Sequence, residues 1–496
     1  MITDPLWLLL TLQIALGAFD TLYHHEFTER LAWQPSQRHE LQLHGVRNLL
    51  YAVFFLGIAW AGFNGLLAWA LGALLLIELA ITLRDFVEED MTRRLPASER
   101  VTHTLLALNY GAILALLLPV IADWAARPTG LALMQYGLWS VLMTLAAIGV
   151  AIFGIRDLLA ARRLARMAGQ AAPVILPAVP APMSFLITGG TGFIGTRLIE
   201  ALVHHGHKVT LLTRNLAHVS HVATPFTVIT NLDQIADSER FDSIINLAGQ
   251  PIAGGLWTPG YKAKLLNSRR TTTRNLVALM ARLDARPASF ISGSAIGVYG
   301  VMAEAGVDED DDVTNDGSFA QHLCRTWEDE ARQAATLGIR TVNLRTGIVL
   351  DTAGGSLGQM LFPFEFGLGG PFGAGQNWMS WITRDDLVRA IFHVVMQPEV
   401  EGPVNAVAPQ PVRNAEFANR LGEALDRPAR IAIPETLLRS LPGGLGQEIF
   451  LASQNIYPGR LLASGFEFGA PDIETAFTQL LRGPLAKTPP TAIAKA

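Results

Sequence analysis

Ser184-Phe185-Leu186-Ile187-Thr188-Gly189-Gly190-Thr191-Gly192-Phe193-Ile194-Gly195 decides the fold of the larger part of this chain. Ser184 to Thr188 is a short apolar run of strand type. A glycine-rich turn follows at once. Thr196 to His205 then has a helical pattern, and Lys208 to Thr213 reads as a second strand. Glycines let a backbone approach a pyrophosphate, and the N-terminus of a helix offers free N–H groups and a positive dipole to hold it. A glycine motif alone is weak, but between a strand and a helix it is the dinucleotide-binding fingerprint. Gly189, Gly192, Phe193, Ile194 and Gly195 are therefore cofactor-binding candidates. The competing reading is a glycine turn with no ligand.

The end of the second strand bears on which dinucleotide. An acidic residue there would accept a hydrogen bond from the ribose 2′-hydroxyl of NAD, whereas an arginine suits a 2′-phosphate. The chain reads Thr213-Arg214-Asn215, which favours NADP(H), unless Arg214 merely faces solvent. Further strand-type runs lie at Ser243 to Asn246, Ser289 to Ser294 and Arg340 to Val349, with helical segments between them. Leu247, Ala248 and Gly249 form a small-residue turn expected beside the cofactor. The pattern is that of an α/β fold, a doubly wound Rossmann-type parallel sheet.

Upstream the composition changes. The 496-residue chain has room for two or three domains at about 100–200 residues each. Half of its residues are hydrophobic and only 16% are charged, against about 25% in typical soluble domains. The charge deficit is concentrated before Gly169, where apolar blocks run from Pro5 to Leu22, Asn48 to Leu83, Thr104 to Trp124 and Leu131 to Ile155. The second is too long for one span of about 20 residues, and Gly62-Phe63-Asn64-Gly65 reads as a turn that splits it. Five transmembrane helices are expected, the first carrying Asp20.

Arginines cluster at Arg30, Arg38 and Arg47, at Arg84, Arg93, Arg94 and Arg100, and at Arg156, Arg162, Arg163 and Arg166. That bias puts the N-terminus outside and everything after the fifth span in the cytoplasm, as a multi-pass protein of the inner membrane. The start has no basic region or small-residue cleavage site of a signal peptide. The expected organisation is a transmembrane helical domain over 1–168, a proline-rich linker over 169–183, the Rossmann domain over 184–430, a small C-terminal domain over 431–484 and a disordered tail over 485–496. Arg156 to Arg163 reads as a helical extension of the fifth span.

The net charge of −5 argues against nucleic acid as a partner. One cysteine, Cys324, excludes a disulfide framework. His24, His25, His39, His44 and His103 gather near the cytoplasmic ends of the expected spans, with Glu26, Glu29, Glu40, Glu78 and Asp85 among them. Such groups could ligate a metal or haem, or could be the solvated polar groups of an interfacial loop. The imidazoles show no strict ligand spacing, and no metal ligand is assigned.

The second part resembles the extended short-chain dehydrogenase/reductase superfamily and, more narrowly, its atypical epimerase-family branch. The resemblance runs from about Ser184 to Leu481. It rests on the glycine motif, Asn246-Leu247-Ala248-Gly249, Ser268-Arg269-Arg270-Thr271-Thr272-Thr273, Cys324-Arg325-Thr326-Trp327-Glu328, Gly375 to Ile382, Asn405 to Pro409 and Pro458 to Phe466. The last segment fits the branch's small C-terminal domain. Typical superfamily members use a serine, a tyrosine and, one helical turn on, a lysine that lowers the tyrosine pKa for acid–base work. Here the serine is Ser294, but Ala320 and Cys324 stand at the tyrosine and lysine positions, and Arg269 replaces the usual asparagine. The resemblance implies that serine, cysteine and arginine are the branch's own pattern. Gln250 and Thr383 depart from the branch's glutamate and histidine.

Four residues are therefore catalytic candidates. Ser294 would hydrogen-bond a substrate oxygen. Cys324 would act as acid or base if Arg269 lowered its pKa, or would simply be core. Tyr299 would replace the missing phenol, or pack beside its strand. Trp257, Trp327, Trp378 and Trp381 would wall a pocket or fill the core, and Arg345 would bind an acid group or pair with Asp385 or Asp386. Asp308 to Asp312 reads as a solvated acidic loop.

The resulting expectation is a membrane-anchored NADP(H)-dependent oxidoreductase. It would exchange hydride with a carbonyl, alkene or hydroxyl of a small, lipid-like substrate reached from the bilayer. A variant passes reducing equivalents to a metal or quinone among the histidines. The alternatives are a non-catalytic NADP(H)-binding sensor or scaffold, and a sugar-nucleotide epimerase.

Overall fold

A computed structural model describes residues 2–482 except 94, 168–173, 217–218, 220–221, 223–224 and 312. The expected tail over 485–496 lies outside the described residues, as does most of the first half of the proline-rich segment. The chain divides into two compact units, Met1–Ala171 and Ala172–Ala496.

The first unit has five long helices: α1 (Asp4–Phe19), α2 (Arg38–Trp60), α3 (Leu66–Thr92), α4 (Ala97–Ala125) and α5 (Leu138–Met167). After α1 the chain continues in wider turns over Asp20–Thr28, so the first apolar segment is 25 residues long. All five helical segments are long and apolar enough to cross a membrane. Their inner faces meet through Trp7, Leu10, Phe54, Ile58, Leu75, Leu117 and Trp124. Their outer faces stay apolar, with Leu66, Trp69, Leu76 and Leu108 exposed. A helix that is apolar all round but buried on one side suits a lipid solvent. Gly45 of α2 and Gly154 of α5 let these helices touch; a Cβ on either would lie 2.9 Å from the other's carbonyl oxygen.

The turn at Gly62–Gly65 splits the long apolar block as expected, and Gly65 takes φ +59°. Ala61–Asn64 pairs antiparallel with Gly130–Leu133. The expected fifth span therefore starts too early in the sequence reading. Leu131 to Leu133 is strand, and the helix begins at Leu138. Apolar content alone cannot separate a short ribbon from the helix that follows it. The helical extension through Arg163 is present, since α5 runs to Met167.

The second unit is built on a seven-stranded parallel sheet. Its strands are β1 (Ser184–Thr188), β2 (Lys208–Leu212), β3 (Thr227–Ile229), β4 (Ser243–Asn246), β5 (Ser289–Ala295), β6 (Arg340–Thr346) and β7 (Gly402–Ala406). Their spatial order is β3-β2-β1-β4-β5-β6-β7. The direction of travel reverses between β1 and β4, whose last residues Thr188 and Asn246 lie side by side. Open α/β sheets bind ligands at the carboxyl ends of the strands where the order reverses.

Helices α6 (Phe193–His204) and α10 (Arg384–Met396) cover one face, and α7 (Pro259–Arg282) and α8 (Phe319–Arg332) the other; α9 (Gly355–Glu365) and α11 (Asn414–Ala424) lie outside. Phe185 and Ile187 join the core with Leu198 and Ile391, while Leu186 between them joins Leu276 and Phe290. A strand covered on both faces reads as an unbroken apolar run, which is why Ser184 to Thr188 does not alternate. The expected strand from Arg340 to Val349 is two strands. β6 ends at Thr346, and Ile348–Asp351 pairs instead with Trp381–Thr383. Gly347 allows the break, because a Cβ there would lie 2.6 Å from the Ser380 carbonyl oxygen.

The C-terminal segment is woven into the unit. Ser453–Ile456 pairs parallel with Met302–Val307, just after β5. The later part of the expected linker is not free chain either. Val174 and Leu176 are buried in the core of the second unit.

Candidate functional site

The site grows from the turn between β1 and α6. Gly189 has φ +72°, and a Cβ on it would lie 2.6 Å from the backbone carbonyl of Leu247. Both constraints require glycine. A Cβ on Gly195 would run into Gly189 O and lie 2.5 Å from Gly190 Cα. Gly192 is the residue before the helix, so Phe193, Ile194 and Gly195 form its first turn. That turn presents backbone N–H groups with no intrahelical acceptor. Leu247 donates its N–H to Thr188 O at 3.1 Å. The Thr188 hydroxyl donates to Asn246 Oδ1 at 2.7 Å, and Asn246 Nδ2 donates to Thr273 of α7 at 2.9 Å. The Leu247–Gly249 turn is thereby tied against the glycine turn. The Phe193 ring packs beneath the Gly354–Gly355 turn and under the Arg384 guanidinium, 5.1 Å from its centroid.

Beyond the end of β2 lies a cavity of about 930 Å³. Arg214 lines it with Lys264, Asn231, Asp233, Gln250 and Asn267. Arg214 is exposed and has no ion pair among the described residues. Sequence reasoning missed Lys264. Lys264 comes from α7, and no local pattern signals that α7 faces the end of β2.

At the ends of β5 and β6 the catalytic candidates form a closed network. Ser294 Oγ donates to Glu328 Oε1 at 2.7 Å. Arg345 forks onto the same carboxylate, Nε to Oε1 at 2.9 Å and Nη2 to Oε2 at 3.0 Å. Arg345 Nη1 donates to Tyr299 OH at 2.8 Å. The Tyr299 hydroxyl also meets Asn405 Oδ1 at 2.9 Å and Asp308 O at 3.1 Å. All five side chains are buried. Burial raises the Tyr299 pKa above the ordinary phenol value despite the lowering by Arg345. Arg345 thus pairs with Glu328, not with Asp385 or Asp386. Asp385 holds Arg197, and Asp386 caps the chain at Gly469 and Ala470.

Cys324 faces this network from α8. Burial, with the Glu328 charge second, pushes its thiol up to about 12. The lowering expected from Arg269 exists but is outweighed, so Cys324 is a neutral thiol at physiological pH. Arg269 is itself buried. Its Nη1 donates to Gln250 O at 3.1 Å and Leu265 O at 3.2 Å, and its guanidinium stands 4.9 Å over the Trp327 ring. No carboxylate pairs with it among the described residues, and burial lowers its pKa. A Cβ on Gly249 would lie 2.9 Å from its Cζ, so Arg269 sits against the turn after β4.

Trp327 lies beside β5, while Trp257 and Trp381 are core and Trp378 stacks under Arg413. Thr383 caps α10. In the acidic run Glu309 is buried. Its carboxylate accepts the N–H groups of Asn405 at 2.7 Å and Arg460 at 3.2 Å, so this residue fastens the C-terminal segment instead of facing water.

A family model described as NAD dependent epimerase/dehydratase matches residues 185–407, and a domain of unknown function matches residues 433–480. The epimerase family protein YfhF of Bacillus subtilis is 34% identical over 303 residues, which is 60% of this chain and 98% of that protein. The epimerase family protein Mb2239 of Mycobacterium bovis is 37% identical over 282 residues, 57% of this chain and 92% of that protein. The chain belongs to the epimerase family. A crystal structure of the human epimerase family protein SDR39U1 with NADPH is 32% identical, with a TM-score of 0.55, and covers 61% of this chain and 100% of that one. A UDP-glucose 4-epimerase of Thermotoga maritima shares the fold at a TM-score of 0.51 and 17% identity. The epimerase-family part of the chain is thus the Rossmann unit with its C-terminal segment.

Within the first unit, the histidines are not a solvated loop. His24, His25, His44 and His103 are buried or nearly so among Asp20, Glu40, Asp85, Glu89 and Glu99. His39 is exposed and stands apart. The spacing missed in the sequence appears once carboxylates and imidazoles are counted together. Asp20 and His24, Glu40 and His44, Asp85 and Glu89, and Glu99 and His103 are all i, i+4 pairs.

Proposed function

We propose that this chain is a membrane-anchored NADP(H)-dependent oxidoreductase, exchanging hydride with a carbonyl, alkene or hydroxyl of a small, lipid-like molecule. Arg214 carries the cofactor choice: a guanidinium at the end of β2 with no ion pair among the described residues, and Lys264 lining the same cavity. The human relative solved with NADPH supports the same choice. The residues present fit the group. The bare turn of Gly189, Gly192 and Gly195 with the first turn of α6 would hold the pyrophosphate. Leu247, Ala248 and Gly249 would line its path, and Arg214 and Lys264 would hold the 2′-phosphate. When bound, the dinucleotide supplies or accepts the hydride.

The chain's own groups then limit the proton chemistry. The single hydroxyl hydrogen of Ser294 is committed to Glu328. Ser294 Oγ therefore presents lone pairs to a substrate and accepts a hydrogen bond from a hydroxyl. Arg345 fixes the Glu328 carboxylate, and Tyr299 is held by Arg345 and Asn405, so neither moves freely to a substrate. Arg269 offers a desolvated positive charge whose Nε and Nη2 have no acceptor among the described residues. It would stabilise negative charge on a substrate oxygen.

The five apolar helices and the arginine bias support membrane anchoring with the Rossmann unit in the cytoplasm. One observation favours the sensor reading: Ala320 and a neutral Cys324 stand at the expected acid–base positions and Tyr299 is tied up, so none of these three is poised to deliver a proton. The test is direct. Full-length protein in detergent is titrated with NADPH and NADH and then assayed at the nicotinamide absorbance with carbonyl, enone and alcohol probes. Tighter NADPH binding that weakens in Arg214→Ala supports the cofactor assignment, and equal binding of both cofactors rejects it. Turnover of any probe class supports the oxidoreductase. Binding without turnover favours the sensor.

A further inference from the structure

The first unit holds a buried polar cluster that nothing in the reductase reading uses. Its charge does not balance. Five carboxylates, those of Asp20, Glu40, Asp85, Glu89 and Glu99, are buried. Two guanidiniums face them. Arg93 forks onto Glu40 and Glu99, with Nη2 2.9 and 2.6 Å from their oxygens, and Arg47 meets Asp85 at 2.7 Å. Three positive charges are missing from a low-dielectric interior, where an uncompensated charge is strongly unfavourable.

Protonated imidazoles are the internal alternative to an ion, and they suffice only if His24, His103 and one of His25 and His44 are all charged. His25 and His44 stack face to face, with centroids 4.5 Å apart and planes 7° from parallel. Two imidazolium rings in that arrangement repel, so at most one carries a proton.

The donor atoms converge on common points. His103 Nε2 lies 3.1 Å from Asp20 Oδ2, and His25 Nε2 lies 3.5 Å from the same oxygen and 3.7 Å from Glu99 Oε1. On the other side, His44 Nε2 is 3.7 Å from Glu89 Oε1, and His103 Nδ1 is 3.3 Å from Glu89 Oε2. One donor atom each from Asp20, His25, Glu99 and His103 falls within 4.8 Å of the others, and so does one each from His25, Glu40, His44 and Glu89. That is close to the spread of nitrogen and oxygen ligands around one ion, whose bonds are about 2.0–2.2 Å. His25 Nε2, His44 Nε2 and both Glu89 oxygens are buried without a hydrogen bond of proper alignment among the described residues. His44 Nε2 also stands 2.8 Å from Asp85 Oδ2. Glu40 and His44 of α2, and Glu99 and His103 of α4, are i, i+4 pairs, so each of these helices places two donors on one inward face.

We propose that this cluster binds divalent first-row transition-metal ions in two overlapping positions that share His25. Mixed imidazole and carboxylate donors, without thiolate, suit iron, manganese or zinc. One divalent ion would supply two of the three missing charges. A cavity of about 310 Å³, walled by apolar side chains such as Ile14, Phe86, Leu106 and Phe153, opens onto Asp20 and His103. It leaves room beside the cluster for a further ligand. The proposal is independent of the Rossmann unit and of its cofactor.

The experiment is metal analysis of the full-length protein in detergent after loading, in separate samples, with Fe(II) under anaerobic conditions, Mn(II) or Zn(II) alone. One or two ions per chain are expected in wild type and in His39→Gln, which changes an exposed histidine. His25→Gln, His103→Gln and Glu89→Gln should each lower metal affinity by about tenfold or more. Folded wild type with no metal above the detergent blank overturns the proposal, as do folded ligand variants that retain as much metal as wild type. Where a variant fails to fold, pulsed electron paramagnetic resonance on Mn(II)-loaded wild type decides. Imidazole-nitrogen couplings support the site, and an oxygen-only signature overturns it.

Discussion

The two units each bury a cluster of carboxylates, imidazoles or guanidiniums, and the clusters are built on opposite plans. Around Ser294 the network closes: one carboxylate, Glu328, receives a bidentate guanidinium and a hydroxyl, and the hydroxyl of Tyr299 finds Arg345 and Asn405. Around Glu89 it does not: carboxylates outnumber guanidiniums, and buried nitrogen and oxygen atoms lack aligned partners. A satisfied buried network fixes geometry and leaves little for a ligand to add. An unsatisfied one leaves buried donor atoms that a ligand from outside can use. The difference separates a scaffold for orienting a substrate from a place built to take an ion.

The most severe way to break the comparison is to unbalance the closed network. Arg345→Met leaves Glu328 buried and unpaired, and should lower the stability of the second unit by about 3–5 kcal/mol in denaturant unfolding. Adding Glu328→Gln to it should recover much of that loss, because the stranded charge is then gone. If the single and double variants are equally unstable, the network is not the closed unit described. Arg93→Gln in the first unit should cost less than Arg345→Met when metal is present, since an ion would replace the charge that Arg93 supplied.

A second test leaves both clusters intact and strikes the glycine turn. Gly189→Ala forces a Cβ toward the Leu247 carbonyl at a positive φ. NADPH affinity should fall at least tenfold, about 1.4 kcal/mol, while far-ultraviolet circular dichroism stays unchanged. In the same range, Arg214→Ala and Lys264→Ala should each remove one charge-assisted contact, about 1.5–3 kcal/mol of NADPH binding, and leave NADH binding nearly unchanged. Equal losses for both cofactors would sink the assignment of that cavity.

The smallest effect concerns Cys324. Its folded thiol titrates near 12, above an ordinary value near 9. The raised value means that folding favours the protonated thiol. That contribution is present below pH 9 and is lost as pH rises toward 12, where the unfolded chain releases a proton first. Native protein should resist alkylation at pH 9 while unfolded protein reacts, and Cys324→Ala should flatten the fall in stability over that range.

The Rossmann core was readable because β1 is buried on both faces and the glycine turn has hard steric requirements at Gly189 and Gly195. The five helices were readable because their outward faces remain apolar. What stayed hidden depended on tertiary placement. Lys264 reaches the Arg214 cavity only because α7 runs past the end of β2. Glu328 was quoted as part of a motif, but its partner Arg345 lies on a different strand. The buried cluster is hidden in the sequence because its histidines show no spacing among themselves, while the repeating unit pairs a carboxylate with an imidazole or another carboxylate. Glu309 was read as solvated from its acidic neighbours, yet it accepts two backbone N–H groups from β7 and the C-terminal segment.

That C-terminal segment has a consequence in time. Ser453–Ile456 supplies the neighbour of Met302–Val307, Gln454 holds the carbonyls of Ile296 and Gly300, and Glu448 accepts the N–H of Ala320. These contacts brace the loop after Ser294 and the start of α8. Chains emerge from the ribosome N-terminus first, at about 5–20 residues per second. The apolar helices and the glycine turn are therefore synthesised while the walls around Ser294 still lack their brace. The nascent chain can acquire its glycine turn well before the loop after Ser294 is braced, and the last strand made is the one that braces it.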